Sequence, residues 1–69
     1  MAKILNEASV KVMGVPATVS GDCKKRIRFD YADDGVSKSG LGFVQLVAED
    51  TPSTAKTKAI TEANSILTS

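Results

Sequence analysis

Three cations spaced two residues apart, Lys24, Arg26 and Arg28, are the side chains of this sequence whose type and spacing could do chemistry. On an extended strand, alternate residues share a face and lie about 6.6 Å apart. That repeat is comparable with successive phosphates on a nucleic-acid backbone. Lys38 is a further candidate contact with a nucleic acid or a protein partner. The same row also fits an ordinary solvated or ion-paired strand face. Asp30, Asp33 and Asp34 follow closely enough to cancel part of its field.

Other reactive groups are sparse. With no His, neither a Ser-His-Asp nor a Cys-His arrangement can be built from this chain. The single Cys23 offers one thiolate where a structural zinc site needs several, and it reads best as a small hydrophobe at a strand start. Gly35-Val36-Ser37-Lys38-Ser39 reads as a turn, because a phosphate-cradling loop needs its Lys after the second Gly. The carboxylates of Asp30, Asp33 and Asp34 lack the spacing of a calcium loop. No catalytic, cofactor or metal-binding residue is assigned, and a non-enzymatic protein is expected.

The elements that must carry the row follow from periodicity. Lys24 to Tyr31 alternates cleanly: Lys25, Ile27, Phe29 and Tyr31 share one face, and Lys24, Arg26, Arg28 and Asp30 share the other. Upstream, Ala8 to Met13 alternates as a strand with Ala8, Val10 and Val12 together. Gly14 breaks it, and Val15, Ala17 and Val19 resume a period of two, giving a tight hairpin or one bent strand with Pro16 at an edge or bulge. Ala32 to Gly40 is a loop by composition, with Asp33-Asp34-Gly35 and Ser37-Lys38-Ser39-Gly40 rich in turn formers. Leu41 to Ala48 is apolar on both faces, which predicts a central strand covered on both sides, with Gly42 at a bulge or a close approach.

Glu49-Asp50-Thr51-Pro52 then opens a helix: Thr51 caps, Pro52 suits the first helical position, and the two carboxylates complement the helix dipole. Ala55, Ala59, Ile60, Ala63, Ile66 and Leu67 form its apolar stripe. The expectation is one domain over residues 1–69, an α+β fold in which an antiparallel sheet of three to four strands carries a single C-terminal helix.

Sixty-nine residues give a thin core, since a chain of about this size buries only about 60% of its unfolded surface. Half of the helix stripe is Ala and the chain has no Trp, so self-association is one way to cover what remains. The net charge of +1 names no partner by itself. No apolar stretch reaches the ~20 residues of a membrane span, no signal-peptide core precedes Gly14, and one unpaired Cys suits a reducing interior. A cytoplasmic protein with no membrane partner is expected, and small proteins of this kind are common in phage and bacterial genomes.

Arg26-Ile27-Arg28-Phe29-Asp30-Tyr31, an acidic turn with Gly35, then Lys38-Ser39-Gly40-Leu41-Gly42 and a helix opened by Pro52, resembles the second half of the small archaeal chromatin proteins with an SH3-like barrel. That resemblance covers about half of the chain and implies a partly closed sheet that contacts DNA. The sequence departs from the pattern in having no Trp, little Lys, and Leu41 in place of a basic residue. Three strands followed by a C-terminal helix also resemble the DNA-binding arm domains of some tyrosine integrases. Resting on strand order alone, the two likenesses assign the chain to neither family. The expected function is protein–protein interaction, including self-association, with nucleic-acid binding through Lys24, Arg26 and Arg28 as the alternative.

Overall fold

A computed structural model describes residues 3–68. Three strands, β1 (Lys3–Val12), β2 (Cys23–Asp33) and β3 (Val36–Leu46), form one antiparallel sheet in the order β1-β2-β3, followed by helix α1 (Pro52–Thr68). The α+β reading therefore holds. The sheet stays open, with β1 and β3 as its two edges, so the partial barrel closure implied by the chromatin-protein resemblance is absent.

The segment expected to be a central strand covered on both sides, Leu41 to Ala48, falls largely in the edge strand β3 instead, with Leu41 and Phe43 exposed; β2 is central, and the expected loop over 32–40 is mostly ladder. Asp34 and Gly35 make a two-residue turn with φ of 52° and 84°, the left-handed pair that matches the twist of a hairpin. Pairing then runs unbroken from Asp33↔Val36 to Cys23↔Leu46. Ser37, Lys38, Ser39 and Gly40 have weak strand propensity, but their partners on β2 hold them extended.

β1 begins earlier than its alternation suggests and is irregular. Asn6 pairs with Asp30 and Lys11 with Arg28, so Glu7 to Val10 stand opposite Phe29 alone. Ser9 closes the gap. Its hydroxyl donates to the Asn6 carbonyl at 2.6 Å and accepts the Asp30 N–H at 2.8 Å, replacing a ladder bond the bulge removes. The bulge turns Val10 into the core while Ala8 stays exposed.

The second upstream strand expected over Val15–Val19 is not a strand. Val19 is buried and exchanges backbone bonds with the β3–α1 connection, its N–H donating to the Asp50 carbonyl at 2.8 Å and its carbonyl accepting from Glu49 at 2.9 Å. The alternation there marked burial in an irregular segment, and Pro16 lies exposed within it.

The core lies between one face of the sheet and α1: Val10, Val19, Ile27, Phe29, Val44 and Leu46 against Ala55, Ala59 and Ala63. The three alanines, one turn apart, are fully buried and bring the helix backbone close to the sheet. Glycines complete the fit. A Cβ on Gly40 would stand 2.5 Å from the Phe29 ring, and one on Gly42 would stand 2.6 Å from Ile66 Cδ1, the close approach expected at that position.

Asp50 joins the parts. It is 6% exposed, and its carboxylate accepts from the Val47 N–H at 2.8 Å, the Thr54 hydroxyl at 2.8 Å and Lys58 Nζ at 2.6 Å. Lys58 first, then the Val47 N–H and the Thr54 hydroxyl, lower its pKa from 3.8 to about 2. Thr51 and Thr54 cap the helix reciprocally, each hydroxyl accepting the other's N–H.

Two consequences are measurable. Gly40→Ala drives a methyl into a buried ring and should cost about 1–3 kcal/mol, a drop of several degrees in the thermal midpoint by circular dichroism. The Asp50 pKa lies below its unfolded value, so its stabilisation is complete above about pH 4 and fades as the pH falls toward 2. Asp50→Asn should therefore melt below the parent chain at neutral pH, and the gap should close across that acid window.

Candidate functional site

The helix covers one face of the sheet only. Burial of Ile27 and Phe29 beneath it forces their alternate neighbours Lys24, Arg26, Arg28 and Asp30 onto the other, open face. The cationic row read in the sequence is thus exposed along the central strand.

Register supplies what flanks it. Lys11 of β1 lies directly opposite Arg28, and on the other side Leu41 pairs with Arg28, Phe43 with Arg26 and Gln45 with Lys24. Leu41 is 65% exposed and Phe43 56% exposed. The Arg26 guanidinium lies 5.9 Å from the Phe43 ring centroid, within cation–π range. Beyond β1, Met13 donates its N–H to the Arg26 carbonyl at 2.9 Å. A groove of about 470 Å³ lined by Ser9, Lys11, Met13, Arg28 and Asp30 runs beside the row.

The face thus carries Lys11, Lys24, Arg26 and Arg28 together with Phe43 and Leu41. Asp30 shares that face and accepts from the Ser39 hydroxyl at 2.9 Å. The two ion pairs among the described residues, Lys38 with Asp33 and Lys58 with Asp50, take nothing from it.

Lys38 is not part of this cluster. It pairs with Tyr31, on the helix-side parity of the sheet, and its Nζ meets Asp33 at 3.1 Å. Cys23 is half-buried against the core. Lys11, Leu41 and Phe43 are the members that periodicity alone did not assign to the site. Strand parity could not choose a face for Leu41 and Phe43, because both faces of their segment are apolar. The signal that chooses is Asp34-Gly35: once it is taken as a two-residue turn, Phe43 must fall opposite Arg26.

Among the described residues no helix is long and apolar enough to cross a membrane. No protein-family model matches the chain, and neither a curated protein nor a solved structure matches it.

Like charges directly opposite each other across a strand pair are destabilising, so the Lys11–Arg28 pair is a cost the fold carries. Lys11→Glu should stabilise the protein by roughly 0.2–1 kcal/mol, seen as a higher thermal midpoint at low salt. The gain should shrink as salt is added.

Proposed function

We propose that the chain is a non-catalytic binding module whose open sheet face takes nucleic acid by its phosphate backbone. The observation that carries this reading is the segregation of charge: a chain of net charge +1 collects four cations, beside Asp30, on one uncovered face, two of the cations in a repulsive cross-strand pair. The cross-strand Lys11–Arg28 pair costs the fold stability, and a polyanion would relieve that repulsion. Rows of cations along a strand and across to its neighbour meet phosphates without needing an overall basic protein. The unpaired thiol in so small a domain supports a reducing, cytoplasmic setting.

The test is a fluorescence anisotropy titration with labelled duplex and single-stranded oligonucleotides. Four neutralised phosphates give a log K against log salt slope of about −3.6 on a duplex, or about −2.8 on a single strand. The double variant Arg26→Ala, Arg28→Ala should flatten either slope by about half. Absence of salt-dependent binding at about 50 mM salt to both forms would sink the reading.

A second reading, self-association, is favoured by one observation: β3 is an unpaired edge that exposes Val36, Leu41 and Phe43. A strand edge of this kind can pair with its own copy. In that case light scattering should give a mass above 7.2 kDa at micromolar concentration, with a melting temperature that rises with concentration.

A further inference from the structure

We infer that the open face takes single-stranded rather than duplex nucleic acid, with a base stacked on Phe43 beside the Arg26 guanidinium. This rests on the nucleic-acid reading above. Cations alone leave two exposed apolar side chains on this face unexplained. Phe43 and Leu41 are neighbours on one face of β3, more than half exposed, and lie in register with Arg26 and Arg28. A duplex offers a protein surface its phosphates and groove edges, while its base faces are stacked within. Phosphate contacts to a duplex would therefore give the Phe43 ring no partner from the ligand.

A single strand offers both chemistries at once. Its phosphates can follow Lys24, Arg26 and Arg28 at the ~6.6–7 Å repeat of alternate strand residues. Its bases, free to turn toward the sheet, meet Phe43 one strand away, about 4.8 Å across the ladder. The guanidinium already sits 5.9 Å from the ring centroid, so base, ring and cation can form one continuous contact. Leu41, next along the same face, supplies apolar surface for the adjacent base or sugar. Stacking of this kind tolerates any base, so weak sequence preference goes with it. A protein partner is less well matched: a cationic row beside an exposed aromatic ring, with Arg26 against it, favours a ligand that is anionic and planar in alternation.

The experiment compares a labelled oligothymidylate of about 15 nucleotides with a duplex of similar length, at one salt concentration and then along a salt series. The parent chain should prefer the single strand by about tenfold or more. Phe43→Ala, at an exposed position, should remove that preference, about a tenfold loss on the single strand, while leaving the salt slope unchanged. Phe43→Trp should bind at least as tightly, and its indole, the sole one in a chain without Trp, should be quenched by the oligothymidylate. Equal binding of duplex and single strand, unaffected by Phe43→Ala, would overturn the stacking and leave the phosphate reading intact. No binding of either would remove the phosphate reading beneath it. A dimer that Phe43→Ala returns to 7.2 kDa would overturn the inference in favour of a second copy covering the ring.

Discussion

Everything in this fold hangs from the Asp50 carboxylate. A sheet of three strands and one helix has few ways to fix the angle between its layers, and here one buried anion does it. By accepting from the Val47 N–H it ends β3, by accepting from Thr54 and Lys58 it starts α1, and through its own backbone carbonyl it anchors Val19 of the long β1–β2 connection. A buried carboxylate is costly unless fully hydrogen-bonded, and its full set of partners is what makes this joint directional. Glu49, held at φ 76°, turns the chain sharply just before it.

The small side chains follow from that joint. Ala55, Ala59 and Ala63 contribute little area each, so the helix gains stability only by lying close, and Gly42 leaves out a Cβ that would meet Ile66 of the helix, while Gly40 leaves room for the Phe29 ring. A core built this way is one-sided. Among the described residues no element is left to cover the second face, and that face is where the cations, Phe43 and Leu41 collect. The economy of the core and the availability of the open face are one fact seen from two sides.

The sequence displayed the parts governed by local rules. Strict alternation exposed β2 and its cationic row, and Thr51-Pro52 with the alanine stripe exposed α1. What it hid was long-range. The bulge opposite Phe29 is closed by Ser9 reaching Asp30, 21 residues away, and no local pattern announces it. Val15 to Val19 alternates like a strand because Val19 is buried, yet its backbone partners are Glu49 and Asp50. Ser37 to Gly40 looks like a loop because its residues have little propensity of their own, and the ladder overrides them. For the site, the row was readable and its flanks were not, since Lys11 and Phe43 join it only through register.

The molecule measures 40 × 20 × 14 Å, and that length is unevenly supported. A 17-residue helix is about 25 Å long, whereas an 11-residue strand reaches about 36 Å. On β2 and β3 the buried residues are Ile27, Phe29, Val44 and Leu46, and the hairpin beyond them, toward Asp34-Gly35, carries no buried side chain. Amide hydrogen exchange should therefore run as a gradient along the long axis, slow at the Leu46 end and fast at the turn. Lys24 to Arg28 lies over the slow end. A ligand held there meets a surface already ordered, while the hairpin tip, beyond the helix, can bend without disturbing it.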